Sequence, residues 1–316
     1  PTNSMHSRDH RCPMVDYVLR RLLYTIPSLL GIVVVCFFLT RLSGDPTDLF
    51  LPIDASEEAR NAFRVQYGLD RPLMEQFLAF CYKALQGDFG NSLRFGEPAI
   101  SLLAERLGAT IQLALATLFI AVGIGIPAGI VSAYYRNSLL DVAVRSLAAF
   151  GQAVPTFYWG VLCILIFSVW LKWLPTGGSG GFIHLILPAT TLASTLVALL
   201  ARVMRSTMLD VMRQDFVRTA RAKGLGEFTV VMRHVARNAF IPVLTVIALQ
   251  FGVLMGGVIV TETVFSWPGV GRLVIQAIYA RDYPVVQAVV FFFALIFVLS
   301  NLLADVFSAV LGPRGR

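Results

Sequence analysis

The sequence is poor in charged residues. Only 14% of its 316 residues are Asp, Glu, Lys or Arg, whereas 56% are hydrophobic. Ordinary soluble domains carry about 25% charged and about 45–50% apolar residues. Because a soluble fold could not hide this much apolar surface, the composition excludes an ordinary soluble domain. It indicates a protein whose solvent is the lipid bilayer.

The motifs of nucleotide binding, metal binding and hydrolysis are also missing. None of the three lysines follows a glycine, so the sequence contains no phosphate-binding loop of the P-loop type. It has no zinc-protease histidine pair, no nucleophile elbow and no paired-cysteine motif. The four cysteines fit neither a metal site nor a convincing disulfide, so we expect them to be small buried side chains. The sequence therefore predicts a protein that is not an enzyme and binds no cofactor or metal itself.

Six apolar stretches are long enough to cross a bilayer, which takes about 20 residues. They cover residues 22–40, 111–134, 147–171, 183–201, 239–261 and 285–310. None carries a charge near its middle, whereas carriers driven by protons or sodium usually have one. Asp305, in the last stretch, is interpreted as a packing or interface partner, with an ion relay as the alternative. Glycine and proline predict close approaches or bends at Gly123, Gly125, Pro127 and Gly129, at Pro155, and at the pair Gly252 and Gly256.

Basic residues lie mainly on one side of these stretches. Eight basic and three acidic residues lie between Arg202 and Arg237, while the opposite connection after the third stretch carries Lys172 alone. Cytoplasmic loops are enriched in Lys and Arg. We therefore predict six transmembrane helices with both termini and the segment 206–237 in the cytoplasm. Residues 1–13 are polar and aperiodic, and we predict a disordered extension before a plausible start at Met14.

A long polar segment follows the first apolar stretch on the outer side. It contains two amphipathic patterns, SEEARNAFRVQYG and PLMEQFLAFCYKALQG, and Ser56 is a candidate N-cap for the first. We predict a small extracytoplasmic helical insert over residues 43–105. Two roles remain open for it: a lid or docking surface, or packing around the spans.

The cytoplasmic segment has the pattern of two short helices joined at a glycine corner. The first helix has an apolar face of Leu209, Met212, Phe216 and Ala220 and a polar face of Asp210, Gln214, Arg218 and Arg221. Gly224 supplies a helix stop, and Gly226 allows a second tight turn. The second helix has an apolar face of Phe228, Val231, Met232 and Val235. Such a unit can offer a charged face to a partner. A helix that merely lies on lipid is the alternative, whereas short tethers argue against entry into a DNA groove.

The string DFVRTARAKGLG…RHVARNAFIP resembles the coupling motif of the permease subunits of binding-protein-dependent ABC importers, in the dipeptide, oligopeptide, nickel and glutathione branch. The opening Glu-Ala-Ala triplet of that motif falls on Arg218, Thr219 and Ala220, and its glycine on Gly224. The closing positions fall on His234, Ala236 and Arg237. No glutamate opens the motif here and no proline closes it, but RTARAKG…RHxxRNA is the usual form in the peptide branch. Similar strings run along nearly the whole chain from Met14: YVLRRLLYTIPSLLGI, GDP, YGLDRPL, QGDFGNS, LPTGG, LPATTL, VFSWPGVGRL and RDYPVVQA.

The resemblance implies an all-α membrane protein with the ABC importer permease fold, in a bacterial inner membrane. It implies a heterodimer with a sister permease, two cytoplasmic ATPase subunits that bind ATP and Mg, and an extracytoplasmic solute-binding protein, but no nucleic acid. The implied ATPase-coupling residues are Asp215, Arg218, Thr219, Ala220, Arg221, Lys223 and Gly224. An outer gate is implied at Trp267, Pro268 and Gly269. No substrate-binding residue is assigned.

These inferences divide the chain into parts with different roles. We expect the first transmembrane helix at 14–42, the insert at 43–105, the permease core at 106–310 and a cytoplasmic tail at 311–316. Peptides are the first choice of solute, ahead of glutathione, nickel or a metal chelate. A self-contained channel or secondary carrier is the alternative function, and a membrane scaffold without transport is a further one.

Overall fold

The computed structural model describes residues 13–42, 44–52 and 54–311. Over these residues the chain is helical, and its only extended pairing is one isolated bridge between Asn91 and Pro98. The helices are α1 (Pro13–Leu42), α2 (Thr47–Phe50), α3 (Glu57–Gln66), α4 (Leu73–Leu85), α5 (Ala99–Tyr134), α6 (Leu139–Ala153), α7 (Thr156–Cys163, continued by the π-helical Ile164–Trp170), α8 (Phe182–Val211), α9 (Asp215–Ala222), α10 (Glu227–Thr229, continued by the π-helical Val230–Ala236), α11 (Arg237–Val264), α12 (Val270–Tyr279) and α13 (Tyr283–Leu311). Most of the predicted extension at 1–13 and tail at 311–316 lies outside the described residues, but Pro13 is already the first residue of α1 and Leu311 is still the last residue of α13.

Four of the described helices are long and apolar enough to cross a membrane. They are Ala99–Tyr134, Phe182–Val211, Glu227–Val264 and Tyr283–Phe307. Helices α6 and α7 make a fifth span if the two count together, and the apolar segments Pro27–Leu42 and Val270–Tyr279 are shorter. The predicted all-helical membrane fold is therefore confirmed, while the count of six spans is not. Because α5 already begins at Ala99, the predicted boundary between insert and core at residue 106 falls inside a helix.

The third predicted stretch, 147–171, is not one continuous helix. Helices α6 and α7 meet at an angle of 99°. The backbone of Val154 is extended between them, with φ −94° and ψ 127°. Pro155 follows, and a proline both lacks the N–H that a helix needs and disfavours the helical conformation of the residue before it. The proline signal therefore marks a sharp corner in this stretch.

Helices α5 and α8 approach each other closely where α5 carries glycine. A Cβ atom on Gly125 would lie 2.8 Å from the carbonyl oxygen of Val197, and one on Gly129 would lie 2.6 Å from that of Ala201. Without side chains at these positions, the two backbones can touch. Gly123, in the same run, faces open space. The two glycines of α5 that are four residues apart are thus the contact positions.

The predicted G-x-x-x-G pair of α11 behaves differently. A Cβ on Gly252 would lie 3.1 Å from the ring of Phe297 on α13, whereas Gly256 has nothing within 4 Å. Close helix approach is therefore found at Gly252 only. The cysteines Cys36, Cys81 and Cys163 are free and only half-buried, whereas buried side chains were expected.

The insert is bonded to the core at the corner between α12 and α13. The carboxylate of Asp282, which is buried, accepts hydrogen bonds from Ser92 Oγ at 2.5 Å and from the Leu93 N–H at 3.1 Å. Arg281 Nη1 donates to the Asp45 carbonyl at 3.1 Å, and the Tyr283 hydroxyl donates to the Gly44 carbonyl. The three consecutive residues Arg281, Asp282 and Tyr283 therefore hold the insert in place.

The predicted cap on α3 is confirmed, because Ser56 Oγ accepts a hydrogen bond from the Ala59 N–H at 3.2 Å.

Two alanine substitutions on α5 are expected to change stability in opposite directions. Gly129→Ala overpacks the contact with α8, which typically costs about 1–3 kcal/mol. Gly123→Ala, in open space, removes the entropic disadvantage of glycine in a helix, worth about 0.5–1 kcal/mol. Thermal unfolding of the two purified variants measures the difference. Equal midpoints would contradict a contact at Gly129.

Candidate functional site

The segment predicted to be cytoplasmic, residues 206–237, contains a turn between α8 and α9. Helix α8 ends at Val211 and α9 starts at Asp215, so the predicted continuous face from Leu209 to Ala220 is wrong. The turn allows Met208 and Val217, both fully buried, to enter the same core cluster. Packing of both side chains thus overrides the helical periodicity of the sequence.

Gly224 forms the corner after α9. Its φ is +78°, and its N–H donates to the Arg221 carbonyl at 2.9 Å. Glycine adopts this left-handed conformation without steric cost, which is why helices commonly end on it. Gly226, which was predicted to allow a second tight turn, has φ −61° and ψ 143°, a conformation open to any residue, so its backbone does not need glycine.

The second helix predicted for this segment is not separate from the apolar helix that follows. One helix runs from Glu227 to Val264, through α10, its π-helical continuation and α11. On its first turns, Val231 and Val235 are buried in the same cluster as Val217 and Ala220 of α9. Two of the four residues of the predicted apolar face are therefore buried, whereas Phe228 and Met232 are exposed.

An apolar surface remains exposed around the corner. It consists of Phe216, Leu225, Phe228 and Met232, and we call it the coupling surface. Phe228 is its most prominent member, with 69% of its area exposed. The same segment carries exposed cations at Arg213, Arg218, Lys223 and Arg233. An exposed apolar patch with a polar rim is typical of a protein interaction site.

The residues assigned to coupling divide into outward-facing and packing positions. Ala220 is buried, whereas Asp215, Arg218, Thr219, Arg221 and Lys223 are exposed. Arg221 spans the corner with two hydrogen bonds to the Glu227 carboxylate, at 3.0 and 2.7 Å, which raise the pKa of Arg221. Asp215 and Arg218 form a looser pair at 3.4 Å. The corner is thus braced by a charged pair that leaves the apolar surface free.

A buried ion pair, not found by sequence reasoning, ties the end of α8 to the start of α6. Asp141 is fully buried, and Arg205 Nε and Nη2 each donate to its carboxylate at 2.8 Å. Ser132 Oγ donates to the same carboxylate at 2.6 Å. Bidentate pairs of this kind are geometrically specific. Nothing in the linear pattern joins residues 64 positions apart, so only the fold reveals the pair.

The three residues assigned to an outer gate lie in the turn between α11 and α12. Trp267 is buried, and its indole N–H donates to the Ala109 carbonyl at 2.9 Å. Pro268 is half-buried and Gly269 is buried. A Cβ on Gly269 would lie within 2.0 Å of the Glu262 carboxylate, so this position has no room for a side chain. The turn is therefore packed against α5.

Glu262, near the end of α11, holds this turn. Its side chain is fully buried. Thr110 Oγ1 donates to its Oε1 at 2.7 Å, and the Arg272 N–H donates to its Oε2 at 3.0 Å. The Thr110 hydroxyl also accepts from the Val270 N–H at 2.8 Å. The carboxylate thus caps the first turn of α12 and joins it to α5, at the helix end where negative charge is favoured.

Comparison with known proteins places these features in a family. The family model of the binding-protein-dependent transport system inner membrane component matches residues 125–316. The chain belongs to this family. It is 44% identical over 304 residues to the glutathione transport system permease protein GsiC of Escherichia coli (strain K12), which covers 96% of this chain and 99% of the relative. The GsiC protein of Salmonella choleraesuis (strain SC-B67) shows the same identity and coverage.

The fold has a solved counterpart in the same class of transporter. An inward-facing structure of the MetNI methionine ABC transporter matches with a TM-score of 0.58, at 20% identity, over 67% of this chain and 97% of that one. The protein is accordingly a permease subunit of an ABC importer in the inner membrane. Many short sequence strings indicated the family. The structural roles of Asp141 and Glu262, in contrast, are recognised only from their hydrogen-bond partners in the fold.

Two valine substitutions test the buried network of the permease. Thr110→Val leaves Glu262 Oε1 and the Val270 N–H without their shared partner, and unsatisfied buried polar groups cost about 1–3 kcal/mol. Thr117→Val, two turns along α5, removes a buried hydroxyl that has no hydrogen-bond partner among the described residues. We expect a lower unfolding midpoint for the first variant and an equal or higher midpoint for the second. The same loss in both would contradict the network.

Proposed function

We propose that the coupling surface receives the closing motion of a cytoplasmic ATPase and passes it to the membrane helices. The observation that supports this most directly is the single helix from Glu227 to Val264. Its cytoplasmic end carries Phe228 and Met232 of the coupling surface, and its other end carries Glu262 beneath the outer turn. A displacement at the cytoplasmic corner therefore acts on a membrane helix without an intervening loop.

The permease has six membrane crossings with both termini in the cytoplasm. Helix α1 supplies the first, since its 30 residues reach about 45 Å at 1.5 Å per residue, more than the roughly 30 Å of hydrocarbon. The bent pair α6 and α7 supplies the third. The arginine-rich segment from Arg202 to Arg237 then lies in the cytoplasm, as the distribution of basic residues requires. This orientation presents the coupling surface to the ATPase side.

The partners follow from the role of a permease. A sister permease completes the passage as a heterodimer, and an extracytoplasmic binding protein delivers the solute. ATP and Mg are bound by two separate ATPase chains, because this sequence contains no P-loop lysine. The charged rim of the coupling surface gives such an ATPase complementary contacts around the apolar centre.

The passage runs beside the bend between α6 and α7. A cavity of about 490 Å³ lies there, with the polar side chains Gln152, Thr156, Thr195 and Gln250 and no charged residue in its lining. Broken membrane helices form solute sites in other transporters because polar groups meet at the break. Amide and hydroxyl groups suit a solute with peptide bonds. Together with the relatives named for glutathione, this favours glutathione or another short peptide as the solute.

The glycine corner provides a matched test of coupling. Gly224→Val forces a β-branched residue into a left-handed conformation, at a cost of about 1–2 kcal/mol. Gly226→Val places the same side chain in open space with a negative φ. We expect the first variant to lose most ATP-driven uptake of labelled glutathione, with a normal amount of permease in the membrane. The second should keep its uptake. Full uptake by the Gly224 variant would contradict the coupling role.

Purification in mild detergent tests the proposed partners. We expect the native permease to bring with it a sister permease, ATPase chains and a binding protein, identified by mass spectrometry. The solute retained by that binding protein then identifies the cargo. Recovery of the permease alone, with glutathione transport in liposomes that contain no ATP, would instead support a self-contained carrier.

A further inference from the structure

Helix α4 of the insert carries an exposed apolar stripe. Met74, Leu78, Tyr82 and Leu85 are all exposed, Leu78 by 62% and Leu85 by 89%. At about 100° per residue these four positions fall within an arc of about 80° on the helix surface. An uninterrupted apolar stripe of this size indicates a contact with something other than water.

The adjoining side of α4 packs against α1. The ring of Phe77 lies 5.2 Å from Phe37 and 5.8 Å from Phe38, and the ring of Phe80 lies 5.7 Å from Phe37. Phe37 and Phe38 precede Leu42, the last residue of α1, by about one turn. At 1.5 Å per residue they lie about 6–8 Å below the end of that helix. Helix α4 therefore sits at the depth of the outer turns of α1 and not above them.

The exposed apolar surface of α1 continues towards this contact. Val35, Leu39 and Leu42 are exposed. Val35 and Leu42 share the helix face of Phe38 at spacings of three and four residues, and Leu39 lies beside it. Phe38 itself packs on Phe77, next to the stripe of α4. One apolar surface thus extends from the outer part of α1 onto α4.

The far side of α4 is polar. Gln76 and Lys83 line a cavity of about 700 Å³ between the insert and the core, together with Arg71, Asp88 and Arg41 of α1. Lys83 lies about 140° from Leu78 around the helix. The helix therefore separates a polar interior from an apolar exterior, as helices at a membrane surface do.

We propose that α4 lies in the outer interfacial layer of the bilayer, with its stripe against lipid acyl chains. Interfacial helices sink their apolar face about 5–10 Å into this layer, which matches the depth given by Phe37 and Phe38. Tyr82 forms one edge of the stripe, and tyrosine is enriched at the membrane interface. A binding protein would approach from water, above the level of this contact. The inference rests on the proposed crossing of the membrane by α1.

Spin labels on α4 provide the test. The assembled transporter, with its partner chains, is placed in lipid nanodiscs, in a background where Cys12, Cys36, Cys81 and Cys163 are replaced by alanine. A nitroxide label is attached at Leu78→Cys in the stripe, at Lys83→Cys on the far side, and at Leu39→Cys on α1 as the lipid reference. Collision rates are measured with oxygen, which prefers lipid, and with a water-soluble nickel complex.

We expect the oxygen-to-nickel collision ratio at position 78 to approach that at 39 and to exceed that at 83 several-fold. Access of the nickel complex to position 78 equal to that at 83 would overturn the proposal, because the stripe would then face water. Protection from both reagents would also overturn it, because a sister permease or binding protein would then cover the stripe. Uptake of labelled glutathione by the same complexes separates the two inferences, since normal uptake with a water-exposed stripe refutes only the lipid contact.

Discussion

The close contact between α5 and α8 is the constraint on which the rest of the permease depends. Gly125 and Gly129 let the backbone of α5 reach the carbonyl oxygens of α8, which fixes the position of α8 along its length. That position brings Arg205 onto Asp141, and α9 starts only a few residues after the end of α8. Because Asp141 is bonded to Ser132 of α5, a separation of α5 and α8 would remove Arg205 from this fully buried carboxylate and leave Arg145, at 3.3 Å, as its remaining cation. The placement of the coupling surface therefore depends on the contact that Gly125 and Gly129 make with α8.

The proposed transmission of motion across the membrane depends on one long helix. The helix from Glu227 to Val264 spans about 57 Å if regular, more than the hydrocarbon layer. Its π-helical turn at Val230–Ala236 and Pro242 are the points where its backbone bonding departs from a regular helix. Both lie in the half of the helix nearer the corner at Gly224, whereas the end that carries Glu262 is held by Thr110. A displacement at the corner is thus expected to bend the helix in that half while the end at Glu262 stays fixed.

The sequence allowed the elements to be located but not their contacts. Apolar stretches marked the helices, Ser56 marked the cap of α3, and Gly224 marked the corner, because each depends on local geometry. Helical periodicity failed at residues 209–220, where packing of Met208 and Val217 into one core introduced a turn. It also failed at Phe228 and Met232, which a hydrophobic pattern places inside and the fold leaves exposed. Asp141 and Glu262 could not be found, since their partners lie 64 and 152 positions away.

The outer helix α12 is held at both ends by buried carboxylates. Glu262 and Thr110 join its first turn to α5, and Asp282, at its far end, accepts hydrogen bonds from Ser92 and Leu93 of the insert. Each bond is made inside the protein, where an unmade partner is costly. If the passage opens outward by a shift of α12, then either the insert shifts with it or the bonds to Asp282 break. The first course keeps the bonds to Asp282, but any shift of α12 away from α5 would still separate Val270 from Thr110 and Arg272 from Glu262. The insert and α12 are therefore expected to move only if α5 and the end of α11 move with them, so the insert behaves as part of this end of the core and not as an independent lid.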